Sequence, residues 1–276
     1  MVSGDTHGVA VRELGDPDLP TILLWPGLGA TGAYFGGVAG MLPGRAVMAD
    51  PPGFGSSPAL DPSSFAALVD AARAVVEERA CRAMVGHSLG AHVALGVGCD
   101  PPAGLDAIVL IDGGFMTGAD FAARGIPVLS GRPELVAWVG SNRPRFADWD
   151  AAVKQLAQMS GAEPTPAFTN YVHEVMAEAD GEVRSSTSPE QAADALLACT
   201  EEQPAEMARR LEVPTLLVAC GQPVDGREMR EKAWQAFVAE SPLLELRVVD
   251  NWGHNAVWQA PEALSKLIAD WLRDRI

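Results

Sequence analysis

The chain has 276 residues, of which 48% are apolar and 20% are charged, and its formal net charge is −16. This length accommodates one large α/β domain or two small ones. An acidic chain is a poor partner for nucleic acid, because phosphate binding requires clustered Lys and Arg, and the charge also disfavours an anionic membrane surface. No segment approaches the roughly 18 apolar residues of a membrane span.

The first residues, MVSGDTHGVAVREL, contain no basic segment followed by an apolar one, so the sequence predicts no signal peptide and a cytoplasmic location. The four cysteines, at positions 81, 99, 199 and 220, are far apart and form no C-x-x-C pair. We interpret them as reduced thiols, and we expect no disulfide framework, no metal site and no cofactor.

Short β-branched segments alternate with helical patterns, which predicts an α/β fold with a mostly parallel central sheet flanked by helices. The predicted strands are 8–14, 21–25, 45–49, 83–86, 107–111, 215–219 and 244–249. The predicted helices flanking them are 33–42, 64–80 with Ser63 as N-cap, 88–98, and a last helix that starts at Pro261.

The interval 115–208 differs from the rest of the chain, because it contains amphipathic helical patterns and no convincing strand. These patterns cover 132–140, 148–159, 166–178 and 188–209, the last with a capping box of Ser188 and Gln191. The interval is too long for a loop. We therefore expect a helical cap at 115–208, inserted into a core formed by 1–114 and 209–276. Its expected place is over the carboxyl edge of the sheet, where open α/β sheets bind ligands.

One short motif carries chemistry: residues 86–90 read Gly-His-Ser-Leu-Gly, which is G-x-S-x-G, between a predicted strand and a predicted helix. Such a turn exposes the serine hydroxyl in strained backbone geometry, and the flanking glycines remove side chains that would collide. The helix N-terminus favours the negative charge that develops during acyl transfer. The motif predicts that Ser88 is a nucleophile.

With this motif the sequence resembles the α/β-hydrolase family, in particular its capped, esterase-like members. The loop 25–29 (WPGLG) resembles the family's H-G-x-G loop, with Pro26 where His is usual. The segment 50–57 (DPPGFGSS) resembles its D-x-x-G-x-G-x-S loop, and 253–264 (GHNAVWQAPEAL) resembles its C-terminal G-H segment. The resemblance extends over nearly the whole chain and implies a Ser-acid-His triad.

A serine hydroxyl needs a base, and the resemblance gives this role to His254, which follows a predicted strand. The other four histidines receive different interpretations. His87 directly precedes the nucleophile and is structural or pocket-lining, His92 is packed on the following helix, His173 belongs to the predicted cap, and His7 is solvated.

Two residues compete to be the acid that orients the base. Asp225 follows strand 215–219, and the order Ser88, Asp225, His254 matches the order usual in this fold, although one extra residue precedes it. Asp112 ends strand 107–111, from which some members of the family take their acid. We expect Asp225, with Asp112 as the alternative.

For the oxyanion, the resemblance implies the backbone N–H groups of Leu28 and Leu89. Pro26 has no N–H, but the required donor lies one residue beyond Gly27. The large apolar side chains near these segments are candidates for an apolar substrate pocket. They are Trp25, Phe115, Trp138, Trp149, Tyr171 and Trp258.

The expected function is a serine hydrolase that cleaves a carboxylic ester or related acyl bond of a small, apolar substrate. Thioesterase, lactonase, perhydrolase and C–C bond hydrolase use the same triad and stay open. A cyclase or ligand receptor that does not acylate the serine is the alternative from another class. Among partners we expect a small-molecule substrate but neither nucleic acid nor membrane, and a monomer or homodimer.

Overall fold

A computed structural model describes residues 2–61 and 63–276 of the chain. The main sheet has eight strands in the order β1-β2-β4-β3-β5-β6-β10-β11. The pairs β1–β2 and β2–β4 are antiparallel, and the other pairs are parallel. These strands are Val2–Thr6 (β1), Val9–Leu14 (β2), Thr21–Trp25 (β3), Arg45–Ala49 (β4), Cys81–His87 (β5), Ala107–Ile111 (β6), Thr215–Cys220 (β10) and Leu244–Val249 (β11).

Helices cover both faces of this sheet. In the part of the chain that the structure describes, they are Phe65–Glu78 (α1), Leu89–Gly98 (α2), Gly118–Ala123 (α3), Arg132–Asn142 (α4), Trp149–Ser160 (α5), Pro166–Val175 (α6), Pro189–Ala198 (α7), Pro204–Arg209 (α8), Arg227–Val238 (α9), Ala256–Gln259 (α10) and Pro261–Leu272 (α11). Two short 3-10 helices, Gly32–Gly37 and Ala39–Met41, replace the predicted helix 33–42. No helix in the described residues combines the length and the apolar character needed to cross a bilayer.

The core consists of two apolar layers, one on each face of the sheet. Every residue of β3 and β6 is buried, because a parallel strand in the middle of the sheet is covered on both sides. These two strands read as unbroken apolar segments for the same reason. The predicted α/β class with a mostly parallel sheet is therefore confirmed.

The segment between β6 and β10 corrects one expectation, since it contains strands as well as helices. Arg145–Phe146 (β7), Met176–Ala179 (β8) and Glu182–Ser185 (β9) form a small antiparallel sheet in the order β7-β9-β8. The hairpin β8–β9 turns at Asp180 and Gly181, which have φ of 56° and 78°. Asp-Gly is a preferred pair for such a turn, because both positions need positive φ.

Proline explains a second difference in this segment. The helix predicted for 188–209 is broken into α7 and α8, and Pro204 is the first residue of α8. Proline disfavours helical geometry at the preceding residue, so the chain leaves the helix before Gln203. The predicted capping box of Ser188 and Gln191 is present. In the core, the N-cap of α1 is Ser64 rather than Ser63, and α9 was not predicted.

A cluster of charges joins the inserted segment to the core. The guanidinium of Arg12, on β2, is 3.1 Å from Asp50 Oδ1 and 2.7 Å from Glu174 Oε2, on α6. The hydroxyl of Thr31 also donates to Glu174 Oε2, at 2.9 Å. Asp50 in turn accepts the N–H of Gly32 at 2.9 Å. This cluster fixes α6 beside the loops that follow β3 and β4.

Candidate active site

Ser88 lies at a sharp turn between β5 and α2, with φ of 56° and ψ of −119°. Its N–H donates to the carbonyl oxygen of Ile111 at 2.9 Å, which ties the turn to β6. A Cβ on Gly86 would lie 2.3 Å from the carbonyl oxygen of Gly90, and a Cβ on Gly113 would lie 2.2 Å from that of Ser88. Only glycine fits at these close approaches, so the backbone is held in a conformation that L-residues rarely adopt.

The side chain of Ser88 faces His254, in the turn after β11. Ser88 Oγ is 3.0 Å from His254 Nε2, and His254 Nδ1 is 2.7 Å from Asp112 Oδ2. An ionised carboxylate can only accept, so Nδ1 carries the proton and donates to Asp112. Nε2 is then free to accept the hydrogen bond of the Ser88 hydroxyl. The three side chains form one continuous chain of hydrogen bonds.

The expectation that Asp225 faces His254 is wrong, and the alternative, Asp112, occupies that place. Asp225 is exposed in the loop after β10, where its carbonyl oxygen accepts a hydrogen bond from Arg230 Nη1 at 3.2 Å. The same side chain makes two further hydrogen bonds to this loop: Arg230 Nη2 donates to the carbonyl oxygens of Gly221 and Pro223, at 3.2 and 2.6 Å. The loop is thus wrapped around a buried guanidinium.

Asp112 directly follows β6 and has φ of 43°, a conformation that Asp tolerates better than most residues. Its Oδ1 accepts the N–H of Cys220 at 3.1 Å, so both carboxylate oxygens have donors. Burial alone would raise the pKa of this carboxyl. The hydrogen bond and charge of His254, with the Cys220 N–H, outweigh burial and lower its pKa. Asp112 is therefore an ionised acceptor at neutral pH.

Two backbone N–H groups lie beside Ser88. Leu89 is the first residue of α2, whose N–H has no partner within the helix. The loop after β3 approaches so closely that a Cβ on Gly27 would lie 2.9 Å from Ser88 Cβ. The N–H of Leu28 in this loop donates to no acceptor among residues 2–61 and 63–276. Both groups are free to donate to an oxygen bound next to Ser88.

A comparison of the sequence with protein families identifies the family of the chain. The model of the alpha/beta hydrolase family matches residues 22–267, which is most of the chain. The chain belongs to the alpha/beta hydrolase family. No curated protein matches the sequence significantly.

Solved structures of alpha/beta hydrolases resemble the whole chain. A thioesterase domain from the curacin biosynthetic pathway is 21% identical, with a TM-score of 0.73 and coverage of 97% of this chain and 98% of that one. E-2-(acetamidomethylene)succinate hydrolase is 22% identical, with a TM-score of 0.77 and 99% coverage of each chain. An esterase from Mycobacterium tuberculosis is 18% identical, with a TM-score of 0.66 and coverage of 99% and 90%. At these identities the likeness establishes the fold.

The histidine next to the nucleophile supports the main chain of His254. His87 is buried, and its Nε2 is 2.8 Å from the carbonyl oxygen of His254, to which it donates. Tyr34 stacks on His87 with ring centroids 4.6 Å apart, and its hydroxyl donates to Asn255 Oδ1 at 3.3 Å. Burial, with the nearby imidazole of His254, lowers the pKa of His87 to about 3, so it stays neutral.

The remaining histidines take no part in the hydrogen-bond chain. His92 is packed in α2, where Nε2 donates to the carbonyl oxygen of Met116 at 3.1 Å. His173 stacks on Trp149 with centroids 4.3 Å apart. His7 lies at the surface, 3.6 Å from Glu78. These positions agree with the interpretation of all three from the sequence.

Two cavities meet at Leu28 and Leu196. The first has a volume of about 230 Å³ and contains Ser88, Leu89, Asp112 and His254 in its wall. The second has a volume of about 320 Å³ and a mostly apolar wall, which also contains Arg143. Its aromatic residues are Tyr34, Trp138, Phe168, Tyr171 and Trp258. The inserted segment contributes residues to both walls.

The structure separates the six expected pocket residues. Phe115 lines the first cavity, and Trp138, Tyr171 and Trp258 line the second. Trp25 lines neither cavity, because it is buried in the core within β3, and the expectation for it is wrong. Trp149 lines neither cavity as well, since it packs on His173.

Sequence reasoning missed three residues that shape the site. Tyr34 lies in a short 3-10 helix where an ordinary helix was expected. Arg124 and Arg230 line the cavity of Ser88, and neither belongs to a motif. The extra residue before Asp225 was the one sequence signal that this loop departs from the family pattern.

Proposed function

We propose that this alpha/beta hydrolase is a serine hydrolase that acylates Ser88 and acts on a carboxylic ester or related acyl bond. The observation that carries the proposal is the hydrogen-bond chain from Ser88 Oγ to His254 Nε2, at 3.0 Å, and from His254 Nδ1 to Asp112 Oδ2, at 2.7 Å. Nucleophile, base and acid in this geometry are what activation of a serine hydroxyl requires.

In the first half of the proposed reaction, Ser88 Oγ attacks the carbonyl carbon while its proton passes to His254 Nε2. Asp112 stabilises the imidazolium that forms and keeps its orientation. The carbonyl oxygen becomes negative and accepts hydrogen bonds from the N–H groups of Leu28 and Leu89. When the tetrahedral centre collapses, His254 gives its proton to the leaving oxygen, and an acyl group remains on Ser88.

In the second half, His254 takes a proton from a water molecule, which attacks the acyl carbon. The same two N–H groups stabilise the second oxyanion. Collapse returns the proton to Ser88 Oγ and releases a carboxylic acid. The acyl-enzyme is thus consumed by water, and the resting hydrogen bonds are restored.

The segment 115–208 acts in this proposal as a cap over a small substrate. Its helices contribute Trp138 and Tyr171 to the aromatic cavity and Leu196 to both cavities. Apolar walls of this kind hold a substrate by burial, with few polar groups fixing its orientation. We assign an apolar part of the substrate to the 320 Å³ cavity. Thioesterase, lactonase, perhydrolase and C–C bond hydrolase activities are alternatives that use the same triad.

Labelling with a fluorophosphonate probe tests the proposal. The native protein is expected to react stoichiometrically, and Ser88→Ala is expected not to react. A matched control is Ser141→Ala, since Ser141 is an exposed residue of α4 whose hydroxyl bonds only its own helix. A folded protein that is neither labelled at Ser88 nor active on a panel of 4-nitrophenyl esters, thioesters and lactones would instead be a non-acylating cyclase or receptor.

A further inference from the structure

The cavity that contains Ser88 has an excess of positive charge, although the protein as a whole is acidic. The chain as a whole has a net charge of −16. The charged residues in the wall of this cavity are two arginines, Arg124 and Arg230, and one carboxylate, Asp112. The carboxylate is engaged by His254 and by the N–H of Cys220. With a neutral imidazole, the cavity therefore has one positive charge in excess inside a strongly acidic protein.

Neither guanidinium is neutralised by a side chain. Within residues 2–61 and 63–276, no carboxylate lies within 4.0 Å of Arg124 or Arg230. Many other arginines of the chain do form ion pairs with carboxylates. Arg230 is 5% exposed, which is rare for an arginine without a carboxylate partner. Removing a cation from water without a counter-ion costs free energy, and a bound anion would offset this cost.

Both side chains retain free donors. Arg230 donates to the carbonyl oxygens of Gly221, Pro223 and Asp225, which use three of its five N–H groups. Arg124 has one polar contact in the described part of the chain, from Nη1 to Met116 Sδ at 3.4 Å. Burial lowers the pKa of Arg230, and the charge of Arg124 adds to this lowering against the opposing effect of Asp112. Both arginines are in the wall of the same cavity.

We propose that the substrate has a carboxylate on the part that occupies the Ser88 cavity, and that Arg124 and Arg230 bind this carboxylate. The inference rests on the proposed acylation of Ser88, and it adds the class of substrate: an ester, or related acyl compound, of a short acid that has a second, ionised carboxyl group. Two guanidinium groups match the planar, two-oxygen geometry of a carboxylate. One excess positive charge is balanced by a monoanion, which favours a carboxylate over a doubly charged phosphate.

The size of the cavity limits the length of the anionic part. At about 30 Å³ for each water molecule in the liquid, 230 Å³ corresponds to roughly eight water-sized groups. A four- or five-carbon dicarboxylic half-ester fits this volume. The aromatic cavity beyond Leu28 and Leu196 then receives the apolar half. The preferred substrate has one charged end and one apolar end.

The arginines come from two different parts of the fold, which makes the cavity dependent on both. Arg124 follows α3, in the segment inserted after β6, and Arg230 lies in α9, after β10. Arg230 is also the residue around which the loop after β10 is wrapped. Arg124 is exposed, and its one polar contact in the described residues is with Met116. Substitution of Arg124 is therefore expected to disturb the fold less than substitution of Arg230.

Two matched pairs of esters test the proposal, each differing in one charge. The first pair is monoethyl succinate and ethyl 4-oxopentanoate, in which a neutral methyl ketone replaces the carboxylate on the acyl half. The second pair is acetoxyacetate and acetoxyacetamide, in which the charge is on the alcohol half. The native protein is expected to have a kcat/KM about 10- to 100-fold higher for the anionic member of the first pair, as for a hydrogen bond between charged groups. A preference in the second pair alone would place the carboxylate on the alcohol half and contradict the proposal.

Arg124→Gln is expected to remove most of this preference, measured as the ratio of kcat/KM between the anionic and the neutral member of a pair, and Arg124→Lys is expected to retain part of it. Arg124→Glu is expected to reverse the preference. The control is Arg132→Gln, which removes an equal charge from the same inserted segment, where Arg132 pairs with Asp194 at the surface. Its preference is expected to equal that of the native protein.

Two outcomes overturn the inference and leave the proposed function in place. In one, the protein is labelled by a neutral fluorophosphonate at Ser88 but hydrolyses both members of the first pair at equal rates, whether or not it distinguishes the members of the second. In the other, Arg124→Glu prefers the anionic ester as strongly as the native protein. Absence of labelling at a folded Ser88 is different, because it contradicts the proposed function itself.

Discussion

Asp112 Oδ2 lies 2.7 Å from His254 Nδ1, although 142 residues separate the two in the chain. The aspartate is held by a second hydrogen bond, from the N–H of Cys220 on the neighbouring strand β10. Its side chain is 9% exposed, against 50% for the imidazole. The imidazole is therefore oriented by a carboxylate that is itself fixed.

Asp112→Asn is the direct test of this relationship. Asn is close in shape and also tolerates positive φ, so the fold and the thermal midpoint are expected to change little. Its amide cannot hold His254 in the required tautomer, and kcat is expected to fall by about 10⁴-fold, as for the equivalent change in serine proteases. The measurement is the pre-steady-state and steady-state hydrolysis of a 4-nitrophenyl ester.

Asp225→Asn is the matched control for this prediction. Asp225 is exposed, and the contact of this residue with Arg230 uses its backbone oxygen, which the substitution retains. Activity within about twofold of the native protein is expected, in line with the small effect of most surface substitutions. A large loss in Asp225→Asn and a small one in Asp112→Asn would contradict the assignment.

The sequence could not decide between these two carboxylates for a geometric reason. Strands β6 and β10 are parallel neighbours, with Ile111 opposite Val218, so the residues after both strands emerge at the same edge of the sheet. Local patterns place Asp112 and Asp225 at this edge equally well. Which aspartate faces His254 depends on the direction of its side chain and on Arg230, which lies in the following helix and belongs to no recognised motif.

Other features were predictable because their cause is local. Ser88 and His254 lie in short motifs whose conformation follows from their glycines, and strands β3 and β6 appear as continuous apolar or β-branched segments. The pocket was less predictable, because the sequence pattern around an aromatic residue is the same whether the residue packs in the core or lines a cavity. Trp25 and Trp258 illustrate this: both are buried, but only Trp258 lines a cavity.

The buried imidazole of His87 predicts a loss of stability in acid. Burial lowers its pKa to about 3 in the folded protein, against about 6.5 in the unfolded chain. Between these two values the unfolded chain binds the extra proton, so the free energy of unfolding falls as the pH falls below about 6.5. From pH 7 to pH 4.5 the contribution of this one group is expected to be roughly 2–3 kcal/mol.

His87→Gln isolates this contribution. The Gln amide is neutral at every pH and can donate to the carbonyl oxygen of His254 in place of Nε2. Denaturant unfolding of both proteins at pH 7 and pH 4.5 measures the difference, and the variant is expected to lose less stability on acidification. Equal losses in the two proteins would show that His87 is not the group responsible.

The close approach of the loop after β3 to Ser88 leads to a prediction about Gly27. A Cβ at this position would lie 2.9 Å from Ser88 Cβ and 3.3 Å from the carbonyl oxygen of His87. Gly27→Ala must therefore displace the loop and with it the N–H of Leu28. Loss of one oxyanion donor is expected to lower kcat by about 10²- to 10³-fold, measured as ester hydrolysis at saturating substrate.

A control for this steric effect is Gly36→Ala. A Cβ on Gly36 would have its nearest neighbour, Ala167 Cβ, at 4.0 Å, which is ordinary contact. Its kcat is expected to stay within about twofold of the native value, as for a substitution without a named cost. If Gly27→Ala also retains full activity, the loop is not a donor of the oxyanion site.

The strained backbone at Ser88 is expected to lower the stability of the folded protein, and a glycine at this position is expected to release the strain. With φ of 56° and ψ of −119°, this residue lies in a region that costs a non-glycine residue about 1–3 kcal/mol. Ser88→Ala and Ser88→Gly both remove the hydroxyl and abolish labelling by a fluorophosphonate, but only glycine releases the strain. Ser88→Gly is therefore expected to be more stable than Ser88→Ala by about 1 kcal/mol, after the greater entropy of glycine in the unfolded chain is subtracted. Denaturant midpoints of the two variants measure this difference. A more stable Ser88→Ala would mean that the turn imposes no strain on its nucleophile.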